Sequence, residues 1–110
     1  MDWTLEERDG AMIGHPRGRV DESSWQAFAD RLTEAVDRAA SSGHKLIVDF
    51  SALDYMSSRG LRALTLARRA ADAQEVSITL AAPNAIMTEI LAISRYDKIF
   101  DVVEEIGAAL

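Results

Sequence analysis

The stretch Leu46–Leu64, LIVDFSALDYMSSRGLRAL, decides how this chain folds, because its pattern changes character along its length. Leu46, Ile47 and Val48 are consecutive and apolar, which suits a strand covered on both faces. From about Ser58 to Ala73 the apolar residues recur at helical spacing, with Leu61, Leu64, Ala67 and Ala71 facing inward. Between the two runs stand Ser57 and Ser58, followed at once by Arg59 and Gly60. A buried strand feeding a helix is half of an α/β unit. Sites gather at such junctions because the helix N-termini collect along one edge of the sheet.

Tandem serines at a helix start have a plain reading. Ser57 or Ser58 as the N-cap would accept a hydrogen bond from an early helical N–H, worth about 1 kcal/mol. That explains one hydroxyl and leaves the other pointing out. A hydroxyl at a helix N-terminus also suits phosphate, since free N–H groups and the positive end of the helix dipole stabilise the added charge of about −1.5 to −2. Arg59 and Arg62 are placed to add charge-assisted bonds, although two solvated arginines on an exposed face are the simpler account of them. The residues by themselves leave both readings open.

Upstream, TLEER and AMIGHPRGRV are separated by Asp9-Gly10 and read as two strands joined by a tight turn. Pro16 lacks a backbone donor and marks a weak point, bulge or edge in the second strand. DESSWQAFADRLTEAVDRAASSG is a helix with Trp25, Phe28, Leu32, Val36 and Ala39 on one face, capped by Asp21, Ser23 or Ser24 and closed by Gly43. Downstream, VSITLAAP reads as a second buried strand. NAIMTEILAISR is a helix opened by Asn84, with Ile86, Ile90 and Ile93 on one side; its Met87, Ile90, Leu91 and Ser94 side is read as core in preference to a partner-facing apolar strip. KIFDVV reads as a short last strand and EEIGAAL as a weak terminal helix. The order β-β-α-β-α-β-α-(β)-α predicts an α/β fold, with a mixed sheet of roughly four to five strands and about four helices packed mainly on one face. The runs Leu46–Val48 and Val76–Leu80 are expected to be neighbouring strands. No linker or repeat divides the chain, so residues 1–110 read as a single domain.

Composition narrows the function. The 110 residues are 48% hydrophobic and 27% charged, the balance of a soluble globular protein. A net charge of −6 and a pI near 4.8 argue against nucleic acid as the main partner, because phosphate backbones need a positive patch. No cysteine is present, so disulfides and thiolate metal sites are excluded. The start, MDWTLEERDG, lacks the apolar segment of a signal peptide, and no apolar run approaches the roughly 20 residues of a membrane span. A cytoplasmic protein with no membrane partner is expected. Asp49 and Asp54 invite comparison with an aspartyl-phosphate receiver, but the early acidic pair and late lysine of such a site are missing. There is no G-x-S-x-G, the two histidines His15 and His44 are isolated, and no metal-ligand cluster is visible. The chain therefore reads as a non-enzyme with no cofactor and no metal.

The central stretch resembles the signature of STAS domains, in particular the bacterial anti-sigma factor antagonists. Their pattern is a buried strand, Asp-aromatic or Asp-Leu-Ser, a spacer with an aromatic, then Asp/Ser-Ser-Ser/Ala/Thr-Gly-Leu opening a helix. GRVDESS resembles their second landmark at the close of an early strand, and the element order matches over essentially the whole chain. The resemblance implies a STAS (SpoIIAA-like) fold and a role as anti-sigma factor antagonist in a phosphorylation-controlled partner-switching pathway of transcription regulation. The unphosphorylated form would sequester a serine-kinase anti-sigma factor of the histidine-kinase-like ATPase fold, and phosphorylation would release it. A serine phosphatase is the second implied partner.

Residue by residue, Ser58 aligns with the phosphorylated serine and Ser57 with a position that is often aspartate. Asp21 aligns with an aspartate near the phosphosite, and Gly60 with the helix-opening glycine. Arg59 departs from the usual small residue, which bears on which kinase docks; with Arg62 it completes the implied switch surface. A second reading within the family is an accessory subunit of a lipid-transport ABC system or another non-sigma regulatory complex.

Overall fold

The chain begins with a hairpin, β1 (Asp2–Arg8) and β2 (Ala11–Val20), paired antiparallel from Asp2↔Arg17 to Arg8↔Ala11 around the Asp9-Gly10 turn. In the computed structural model, which describes residues 1–110, this hairpin is followed by α1 (Trp25–Ser42), β3 (Lys45–Asp49), β4 (Leu53–Met56), α2 (Ser58–Ala73), β5 (Ile78–Ala81), α3 (Ala85–Ser94) and β6 (Asp101–Val103). Two short 3-10 turns, Tyr96–Lys98 and Ile106–Ala108, flank the last strand. The sheet runs β1-β2-β3-β5-β6, parallel after the first pair, and β4 joins it beside β2. The expected neighbours are neighbours: Leu46, Ile47 and Val48 pair with Ile78, Thr79 and Leu80.

Consecutive apolar residues in β3 are explained by two cores. Met12, Leu46, Val48, Ile78 and Leu80 face α1 and α2, where Phe28, Leu32, Val36, Ala63, Leu64 and Ala67 meet them. Ala11, Ile13, Ile47 and Ala81 face the other way, into a small core covered by Val103, Ile106 and Ala109. The mixed sheet and the main helical layer agree with the sequence, but the counts differ. There are six strands and three α-helices, and EEIGAAL forms only a 3-10 turn, lying on the reverse face.

The additional strand is β4, which the sequence presents as a spacer. It exists because β2 changes neighbour along its length. Residues Ala11–Gly14 pair with β3, whereas Gly18–Val20 pair with β4. The switch falls at Gly18, where the register shifts and φ is +91°, a conformation glycine adopts without steric cost. Pro16 lies between the two paired stretches, where β2 has neither parallel neighbour.

The α3 face is the one read as core: Met87 and Leu91 are buried and Ile90 and Ser94 partly so, while Ile86 and Ile93 are 55% and 76% exposed. In α1 the buried stripe is Phe28, Leu32, Ala35, Val36 and Ala39, and Trp25 sits at its edge, half-buried.

Candidate functional site

The end of β2 and β4 lie beneath the first turn of α2. The Ser57 N–H donates to the Val20 carbonyl at 2.8 Å, which fixes where the helix begins. Ser57 is extended (φ −76°, ψ 171°) and buried, and its Oγ accepts the Gly60 N–H at 3.4 Å. It is the N-cap. Ser58 is the first helical residue and is exposed. The two hydroxyls thus divide between inside and outside. Ser57→Ala is expected to lower unfolding free energy by about 1 kcal/mol in urea denaturation, the ordinary value of a cap.

Gly60 is buried under the same turn. A Cβ there would lie 2.5 Å from Met56 Cγ and 2.8 Å from Val20 Cγ1, so the close seat of α2 on the strand ends depends on a missing side chain. Asn84 performs the matching task for α3. Its side-chain oxygen caps the Met87 N–H at 2.9 Å, and its amide donates to the Leu53 carbonyl.

Since Val20 is bonded to Ser57, Asp21 lies one residue from the start of α2. No side chain caps α1; the Asp21 carbonyl accepts the Trp25 N–H at 2.9 Å instead. The Asp21 carboxylate holds its own turn, accepting from the Ser23 hydroxyl at 2.8 Å and the Ser23 N–H at 3.1 Å. These Ser23 bonds, with the nearby Arg19, hold the Asp21 carboxyl below its ordinary value. Arg19 also lies over the Tyr55 ring at 4.6 Å, joining this turn to β4.

Arg59 is not simply solvated. Its Nε is 3.4 Å from Glu22 Oε2, and its guanidinium stands 5.4 Å from the centre of the Trp25 ring. With Arg62, Ala63 and Leu66 from α2 and Ala29 from α1, these two residues line a groove of about 360 Å³ between the helices. Trp25, Glu22 and Leu66 were not among the sequence candidates. A signal was available in α2, where Arg59, Arg62, Ala63 and Leu66 are spaced by three and four and share one face.

The histidines are placed differently from the isolated pair the sequence suggests. His15 lies between two carboxylates, with Nδ1 2.8 Å from Asp49 and Nε2 2.9 Å from Glu6. His44 bonds Glu7. Asp49 also accepts the Ser51 N–H at 3.0 Å. Burial pushes the Asp49 carboxyl up, but the bonds from Ser51 and His15 outweigh it and leave the group below its ordinary value of 3.8. A depressed carboxylate contributes stability that is fully present above its unfolded value and is lost as pH falls through the folded one. Asp49→Asn should therefore narrow the fall in melting temperature between neutral and strongly acidic pH. An equal fall in both proteins would contradict that role.

The sequence matches the STAS domain family model over residues 2–109. The chain belongs to the STAS domain family. This STAS domain is 27% identical over 109 residues to BtrV of Bordetella bronchiseptica, a protein named for the role of anti-sigma factor antagonist, in a match covering 99% of this chain and 91% of that one. It superposes on a Thermotoga maritima protein named for the same role with a TM-score of 0.85 at 15% identity, covering 97% of this chain and 90% of that one. On the phosphorylated form of the Bacillus cell fate determinant SpoIIAA it gives a TM-score of 0.68 at 18% identity, covering 98% and 96%. At those identities the structural likeness is one of fold. No helix of this STAS domain is long and apolar enough to cross a membrane.

Proposed function

We propose that this chain is an anti-sigma factor antagonist that works by phosphorylation-controlled partner switching, with Ser58 as the switch. In its unphosphorylated form it binds a serine-kinase anti-sigma factor, presenting the start of α2 and its flanks; phosphate on Ser58 releases that partner. The role is one of binding, not catalysis. The observation that carries the reading is the division of labour between the two serines, Ser57 buried as the cap and Ser58 exposed on the first helical residue. The N–H groups of a first helical turn have no carbonyl partners of their own, so a dianion at Ser58 meets donors and the positive end of the dipole. Family membership and the name carried by BtrV support the same role.

Asp21, Arg59, Gly60 and Arg62 belong to the proposed surface in different ways. Gly60 seats the helix, Asp21 shapes the adjacent turn, and the two arginines supply cations beside Ser58. The experiment that tests the assignment is incubation with the kinase and ATP followed by phosphopeptide mapping. One phosphate on Ser58 is expected. Phosphate confined to Ser57 would overturn the assignment.

A further inference from the structure

We propose that the groove between α1 and α2 seats an acidic, aliphatic segment of the partner kinase, and that Arg59 and Arg62 are the cations that phosphate at Ser58 withdraws from it. This rests on the partner-switching reading above and gives its partner a chemistry.

The groove has an apolar floor and a cationic rim. Trp25 is half-buried there and Leu66 is 47% exposed, so apolar surface stands open to water in the free chain. Two guanidiniums border it although the chain as a whole carries a charge of −6. Arg62 has no carboxylate within ion-pair distance. Arg59 has only Glu22, whose side chain is 72% exposed. A surface pair of that kind is worth about 0–1 kcal/mol, so an incoming carboxylate displaces Glu22 at little cost. Glu22 itself shows that a carboxylate is accommodated by Arg59 while the guanidinium stays over the indole. The occupant that satisfies floor and rim together is a leucine- or isoleucine-sized side chain flanked by Asp or Glu. A basic segment would meet like charge at both arginines.

Ser58 is one residue before Arg59 and one helical turn before Arg62, the i,i+4 relation that brings side chains together. Phosphate there is a stronger claimant on both guanidiniums than a carboxylate, because it offers more charge and more acceptors. It removes the rim cations from the partner and repels the partner's acid at the same time. Arg59 and Arg62 therefore determine which partner docks as well as how the switch releases it.

The direct probe is 4-methylpentanoate, an aliphatic carboxylate, titrated into the ¹⁵N-labelled chain with its uncharged amide as control. Shifts centred on the Trp25 indole N–H, Ala63 and Leu66, larger for the acid than the amide and reduced in Ser58→Asp, are expected. Equal responses to acid and amide, or shifts centred elsewhere, overturn the inference. In the second arm, the Arg59→Gln/Arg62→Gln double variant should bind the kinase about tenfold more weakly than wild type, with a smaller dependence on salt. Both side chains project outward, so its circular dichroism should match wild type. A kinase that binds the double variant as tightly as wild type, and still phosphorylates Ser58, overturns the groove and leaves the switch standing. Wild type that neither binds the kinase nor is phosphorylated at Ser58 removes both.

Discussion

Ser58→Asp should bind the partner kinase about ten- to a hundredfold less tightly than wild type, while Ser58→Ala binds as wild type does. The asymmetry follows from where the hydroxyl stands. Ser58 is exposed on the first residue of α2, so removing its oxygen takes away neither a cap nor a core contact. Adding a charge there costs the free protein nothing, since anions suit a helix N-terminus. Helix content and melting temperature should therefore be unchanged or slightly raised. The cost falls on the complex, where the charge must be desolvated and would meet the acidic segment proposed for the groove. Loss of binding together with loss of helix signal would mean that the variant acts through folding, and would contradict this account.

Gly60→Ala is expected to destabilise the fold by about 1–3 kcal/mol, the usual range for overpacking a filled site. Alanine is the better helix former by about 1 kcal/mol, so a neutral or favourable result would be expected if Gly60 were merely helical. The sign is decided by Met56 Cγ and Val20 Cγ1, which leave no room for a methyl group. Relief requires Met56 to move or α2 to lift from β4, and the latter shifts Ser58 as well. Urea denaturation checks the stability. Stability at or above wild type would mean that α2 does not depend on so close an approach.

The local patterns in the sequence carried most of the architecture, and the departures arise where a residue's fate depends on distant chain. Leu46–Val48 marked a doubly covered strand, and the helical spacing after Ser58 marked α2. β4 escaped because it is four residues long and forms only where β2 leaves the edge of β3. In α3, AIMTEILAIS is apolar nearly all round; the side read as core holds the buried Met87 and Leu91, and what the pattern does not show is that Ile86 and Ile93 stay exposed. At the site, the helix start was readable from the tandem serines, but which of them caps is set by the Val20 carbonyl, far back in the chain. The same holds for Arg59, whose Glu22 and Trp25 partners come from the turn before α1 and its first residue.

The proposed switch is the release of a kinase from the start of α2 by charge on Ser58. It is tested most directly by preparing the chain with phosphate on Ser58 alone and measuring its affinity for that kinase beside the unmodified chain, by titration calorimetry at one fixed salt concentration. A loss of at least about a hundredfold, with unchanged far-ultraviolet circular dichroism, is the expected result. Equal affinity of the phosphorylated and unmodified chains would contradict it.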